Sequence, residues 1–131
     1  MIDILLDTNI VIYLFQKTEP FLSYVINQQD KKLGISIITF MEVLIGANDE
    51  NEEKSITDDL KLFEIIGINN EIALKSAETS RQAKKSLRHP LLPDTLIAHT
   101  ALHLSVPLMT NNAKDFRMFE NLKLLVPSNT G

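Results

Sequence analysis

Ile4-Leu5-Leu6-Asp7-Thr8-Asn9-Ile10 is the stretch that decides the fold, because an apolar run ends abruptly in a carboxylate and two small polar residues. A short apolar run bounded by polar turn formers predicts a central parallel strand, covered on both faces. Thr8 is then placed to cap a helix carrying Ile10, Val11, Leu14 and Phe15. In an open parallel sheet, side chains just beyond the carboxyl ends of the strands collect along the edge where ligands bind, and Asp7 belongs to that edge. Taken alone, Asp7 is more simply a structural acid at a helix start, stabilised by the macrodipole by roughly 0.3–1 kcal/mol.

Composition narrows the setting. With 131 residues and 44% hydrophobic content, the chain is expected to form one domain, residues 1–131, around one core. A formal net charge of −4 offers no general basic field to a nucleic acid. The absence of cysteine excludes disulfides, thiolate metal sites and a cysteine nucleophile, and fits a reducing compartment. No apolar stretch approaches membrane-spanning length, and the acidic start lacks the signature of a secretory signal. The expectation is a soluble cytoplasmic protein with no membrane partner.

Beyond the first helix, Gln16 to Pro20 breaks the pattern and Phe21 to Gln29 reads as a second helix with Phe21 and Val25 inward. A strand near Leu33-Gly34-Ile35 follows. Ser36 and Thr39 then flank the start of an apolar helix, Ile37 to Ile45, closed by Gly46. Glu42 stands out on that helix, among Ile38, Met41, Val43, Leu44 and Ile45. An ionised carboxylate buried there without a partner would be costly, so Glu42 either reaches the surface at the strand edge or is compensated. The acidic run Asn48 to Glu53 reads as a solvated loop and an acid-rich first helical turn. Ile56, Leu60 and Phe63 form an apolar stripe, and Phe63 to Ile68 reads as a third strand.

Asn69-Asn70-Glu71 opens a longer helix to about Leu87, with Ile72, Ala73, Ala77, Ser80 and Ala83 on its packing side. Its other side carries Arg81, Lys84, Lys85 and Arg88, a cationic stripe at i, i+3, i+4 and i+7. This is either a solvated helix end that suits the dipole or a phosphate-contacting surface, since binding responds to the local field. Pro93 suits the boundary of the next helix, Asp94 to Leu104. Ile97, Ala98 and Ala101 share the face of Asp94, and their small size allows close packing on the sheet. His99 and His103 are four apart but have no obvious third ligand, so both read as ordinary, partly exposed histidines. Val106 to Met109 is a fourth strand that ends at Thr110-Asn111-Asn112-Ala113-Lys114-Asp115-Phe116, repeating the opening pattern of buried strand, small polar residues and an acid. Leu122 to Val126 supplies a last edge strand. Alternating strands and helices predict an α/β fold with helices on both faces.

Asp7, Asp94 and Asp115 all lie just beyond strands or at helix starts, which four independent capping acids would also produce, but convergence is the simpler account of Glu42. Such carboxylates repel, two unit charges about 4 Å apart by roughly 4 kcal/mol at an effective dielectric of about 20. Three or four together need a cation or raised pKa values. Without cysteine or a suitable histidine, the cation is expected to be a hard, oxygen-loving ion, Mg²⁺ or Mn²⁺. One or two such ions point to phosphodiester hydrolysis.

Four segments now carry a family resemblance: Leu5 to Asn9, Ile38 to Gly46, Pro93 to Ala98, and Met109 to Phe116. In order and spacing they resemble the four successive motifs of PIN-domain nucleases, over essentially the whole chain. At this size the chain most resembles the VapC-type toxins of toxin–antitoxin pairs. The resemblance implies a three-layer α/β/α sandwich around a mainly parallel sheet of four to five strands. It also implies a metal-dependent endoribonuclease acting on RNA, a homodimer, and inhibition by a cognate antitoxin. It assigns catalytic metal binding to Asp7, Glu42, Asp94 and Asp115, with Thr110 or Asn9 orienting a carboxylate or water. Asn112 stands where some members carry an acid, leaving open whether it or Asp115 completes the site. Two other classes compete: a Mg²⁺-binding receiver domain, whose paired acids and Lys-Pro are missing here, and a catalytically silent interaction module of the same fold. The apolar set Tyr13, Phe15, Ile56 and Leu60 reads equally as a partner groove or as core.

Overall fold

The computed structural model describes residues 1–28, 30–84 and 90–127. Its strands are β1 (Ile4–Leu6), β2 (Leu33–Ser36), β3 (Glu64–Ile66), β4 (Leu108–Met109) and β5 (Leu124–Leu125). All pair in parallel, in the order β3-β2-β1-β4-β5. The helices are α1 (Thr8–Phe15), α2 (Phe21–Ile26), α3 (Ile37–Ile45), α4 (Glu50–Leu60), α5 (Asn70–Ala83) and α6 (Leu92–Leu104), with a 3₁₀ turn at Ala113–Asp115. The chain steps outward from β1 through β2 to β3, then crosses to the other side of β1 to place β4. The point where this order reverses lies between β1 and β4, where an open parallel sheet leaves a crevice at its carboxyl edge.

Strand pleating sorts the opening apolar run between two layers. Ile4 and Leu6 join Ile10 and Val11 of α1, Phe21 and Val25 of α2, Val43 of α3 and Leu60 of α4 in one cluster. Leu5 faces the opposite way and packs with Ile97, Ala98 and Ala101 of α6, together with Leu108, Phe116 and Phe119. Both Leu5 and Leu6 are completely buried, so β1 is enclosed on its two faces. The three-layer α/β/α arrangement follows directly. Among the described residues, no helix is long and apolar enough to cross a membrane.

Several local expectations need correction. The cap of α1 is Asp7, whose carboxylate accepts from the Thr8 N–H, so Thr8 is the first helical residue rather than the cap. Helix α2 ends at Ile26 instead of running to Gln29, and β3 is confined to Glu64–Ile66. On α5 the buried stripe is Ile72, Ser76 and Ala83, while Ala73 and Ala77 are exposed. Ser76 takes a buried place on α5, which packs mainly against α6, although a hydrophobicity ranking prefers alanine there. Tyr13, Phe15 and Ile56 pack, partly buried, against the cluster that contains Leu60, and the Tyr13 ring stacks on Phe21 at 4.2 Å between centroids. This set is therefore part of the core.

Gly34 allows β2 to lie close under the amino-terminal segment. A Cβ there would stand 2.7 and 2.8 Å from Ile2 Cγ2 and Cδ1 and 3.2 Å from the Glu64 carbonyl oxygen. Ile2 is itself buried and has little room to yield. Gly34→Ala is expected to lower stability by about 1–3 kcal/mol, the usual cost of overpacking, measured as the urea unfolding free energy against the parent.

Candidate active site

Asp7 stands at the carboxyl end of β1, beside the reversal of strand order. Its N–H donates to the Met109 carbonyl of β4 at 2.9 Å, tying its backbone to the neighbouring strand. Its side chain is 4% exposed and is surrounded by donors. Thr8 N donates to Oδ1 at 2.8 Å, while Thr110 Oγ1 and Asn9 Nδ2 donate to Oδ2 at 2.8 and 3.2 Å. Burial pushes the Asp7 pKa upward against these hydrogen bonds, and the nearby Glu42 pushes it the same way.

The donors are themselves fixed. Asn112 N donates to Thr110 Oγ1 at 3.0 Å, and Asn111 N donates to Asn9 Oδ1 at 3.2 Å. Asn9 thus gives its amide hydrogen to Asp7 and accepts from the loop after β4, which sets its orientation. Asn111 Nδ2 reaches the Tyr13 hydroxyl at 3.3 Å. Sequence reasoning misses Tyr13 and Asn111 as site residues, because their contact joins segments 98 positions apart.

Glu42 projects from the second turn of α3 to the surface. Its Oε1 accepts from Thr8 Oγ1 at 2.6 Å, which brings the second acid to the start of α1. Ser36 caps α3 by accepting from Ile38 N at 3.0 Å, so the helix that carries Glu42 begins directly at the end of β2. Asp94 lies in the first turn of α6, half-buried, and Asp115 lies exposed in the 3₁₀ turn after β4. Burial raises the Asp94 pKa most, and Asp7, Asp115 and Glu42 raise it further, to about 6. Among the described residues, no hydrogen bond or cation acts on it. Among the described residues, no lysine or arginine forms an ion pair with any of the four acids.

The four acids therefore share one electrostatic site, although no three His, Asp or Glu side chains among the described residues are grouped closely enough to hold an ion as they stand. Asn112 is exposed, and its backbone contacts Thr110. Arg81 and Lys84 are exposed at the carboxyl end of α5, whereas Lys85, Arg88 and His89 lie outside the described residues. His99 and His103 serve helix pairing. His99 Nε2 lies 2.8 Å from Thr79 Oγ1, and His103 contacts Asn69 and Glu71 at 3.1 and 3.3 Å. Burial holds the His99 pKa below its ordinary value.

The raised carboxyl pKa values carry a stability consequence. A carboxyl that holds its proton more tightly when folded supports folding at low pH, and that support is lost as pH rises through its folded pKa. For Asp94 the window runs from the ordinary 3.8 to about 6. Without divalent cations, the thermal midpoint of Asp94→Asn is expected to gain on that of the parent as pH rises through this window and to stay higher at pH 7 to 8. A constant offset across pH would contradict the crowding of charge around Asp94.

Comparison with known proteins agrees with this geometry. Residues 4–121 match the family model of the PIN domain. Ribonuclease VapC1 of Methanocaldococcus jannaschii is 33% identical over 94% of this chain and 85% of its own. Among solved structures, a toxin–antitoxin complex from Klebsiella pneumoniae is 32% identical, with a TM-score of 0.78 over 96% of this chain and 98% of that one. VapBC-1 from nontypeable Haemophilus influenzae is 29% identical, with a TM-score of 0.80 over 94% and 96%. With the acids at the carboxyl edge of a parallel sheet and a match over nearly its whole length, the chain belongs to the PIN-domain family.

Proposed function

We propose that the chain is a metal-dependent endoribonuclease that hydrolyses RNA phosphodiester bonds and acts as the toxin of a toxin–antitoxin pair. The observation that carries this reading is Asp94, an acid whose pKa is raised to about 6 by burial and by three other carboxylates, with no compensating cation among the described residues. Such crowding disfavours the folded state unless something positive binds there. The donors are all hard oxygens, which suits Mg²⁺ or Mn²⁺, one or two ions, held by Asp7, Glu42, Asp94 and Asp115. An ion bound there would lower the pKa of a water and stabilise negative charge on a phosphodiester.

The chain's own residues prepare for that chemistry. Thr110 and Asn9 fix the Asp7 carboxylate, so it need not reorganise when a cation arrives. We assign the fourth acidic position to Asp115, which acts electrostatically on Asp94, and give Asn112 the supporting role of holding Thr110. Arg81 and Lys84, with Lys85 and Arg88, are read as contacts to RNA phosphates. Helix α3 exposes Met41 by 48% and Ile45 by 82% on either side of Glu42, apolar surface that suits a protein partner. That partner is proposed to be a cognate antitoxin, with the toxin itself a cytoplasmic homodimer. The complexes from Klebsiella and Haemophilus support the antitoxin as partner.

Purified protein is expected to cut cellular RNA into discrete fragments with Mg²⁺ or Mn²⁺ and to stop with EDTA. Asp7→Asn and Asp94→Asn should each lose at least about a hundredfold in cleavage rate, consistent with several kcal/mol of charge stabilisation, while remaining folded by circular dichroism. Cleavage independent of both the metal and Asp7 would overturn the site.

For the cationic surface, Arg81→Gln with Lys84→Gln should weaken RNA binding and flatten its dependence on salt. For every RNA phosphate that no longer meets a cation, the slope of log affinity against log salt is expected to fall by about 0.7. An unchanged slope, read by filter binding with Asp7→Asn to prevent cleavage, would return these residues to a solvated helix end.

A further inference from the structure

We propose that Thr8 is the positioning residue that holds two acids of the site in register, and that the buried hydroxyl of Thr39 fixes the direction in which Thr8 donates. This rests on the metal-dependent reading above and deepens it. Thr8 gives its backbone N–H to Asp7 Oδ1 at 2.8 Å and its hydroxyl to Glu42 Oε1 at 2.6 Å. One residue therefore binds the acid after β1 and the acid on α3, which lie 35 positions apart in sequence. No other residue among the described hydrogen bonds touches both carboxylates.

Counting protons determines the rest. Thr8 Oγ1 also lies 3.0 Å from Thr39 Oγ1. A hydroxyl has one proton to donate, and an ionised carboxylate only accepts. The Thr8 proton is committed to Glu42, so the proton between the two threonines must come from Thr39. The chain runs from Thr39 to Thr8 to Glu42. Thr39 is completely buried, so water does not compete for its hydroxyl, and each donor polarises the next.

The placement follows from helix geometry. Thr39 and Glu42 are three residues apart on α3 and share one face, which is turned toward the start of α1. Glu42 is exposed, and a free glutamate at a helix surface samples several rotamers. The Thr39–Thr8 pair selects the one that directs its carboxylate toward Asp7. An outer hydrogen bond of this kind raises the affinity of a carboxylate site by ordering its ligands in advance.

The test compares the parent with Thr8→Val, which keeps size and the backbone N–H, Thr8→Ser, which keeps the hydroxyl, and Thr39→Val. Mn²⁺ binding is measured calorimetrically without RNA, alongside cleavage at saturating Mn²⁺. Thr8→Val is expected to weaken Mn²⁺ binding by about 10- to 100-fold, the range typical of outer-sphere partners. Thr8→Ser should restore it to within about threefold, and Thr39→Val should shift it in the same direction by less. Circular dichroism checks the fold, and if Thr8→Val does not fold, Thr8→Ala repeats the measurement. A parent that binds Mn²⁺ with a folded hydroxyl-free variant that binds it equally well overturns the positioning role alone. A parent that takes up no Mn²⁺ overturns the metal-dependent reading and this inference with it.

Discussion

Burial opposes the charge on Asp7, and the donors around that carboxylate are the constraint on which the site depends. Thr110 reaches it from just beyond β4, Thr8 and Asn9 from the start of α1, and the backbone of Asp7 is bonded in turn to Met109. These bonds require β1 and β4 to be neighbours, which is what the crossing of the chain after β3 achieves. Were β4 placed beyond β3 in a simple sequential sheet, Thr110 would be far from Asp7. The strand order is therefore a condition of the chemistry as well as of the core.

Around this anchored acid the other carboxylates differ in how they are held. Glu42 is tied by one hydroxyl, whereas Asp94 has burial and repulsion acting on it with no donor among the described residues. The protein thus keeps one acid ordered and leaves another electrostatically frustrated. A core optimised only for stability would not keep such a group. A cation of the proposed kind would relieve this frustration, and the disfavoured charge would then contribute to its binding.

Helix α6 connects this electrostatic arrangement to packing. Its buried face, Ile97, Ala98 and Ala101, lies on the sheet against Leu5 and Leu108, which brings Asp94 in its first turn to the carboxyl edge. The outer side of α6 meets α5 through His99 with Thr79 and His103 with Asn69 and Glu71. Buried serines on α5, at Ser76 and in part at Ser80, allow the helices to approach, and their hydroxyl oxygens have no partner among the described residues.

The sequence by itself determined the alternation of strands and helices, the enclosure of β1, and the placing of Asp7, Asp94 and Asp115 just beyond strands or at helix starts. These features are local: apolar runs, turn formers and an acid just after a strand record their roles within a few residues. The four ordered motifs added the family, which the match over residues 4–121 bears out. Tertiary structure alone decided which groups meet. That Thr110 gives its hydroxyl to Asp7, that Thr8 turns its own to Glu42, and that Asn111 reaches Tyr13 all depend on contacts between segments distant in sequence. A hydroxyl or an amide has the same signature in the chain whether it caps a helix or orders an acid. Its partner is chosen only when the sheet has brought the segments together.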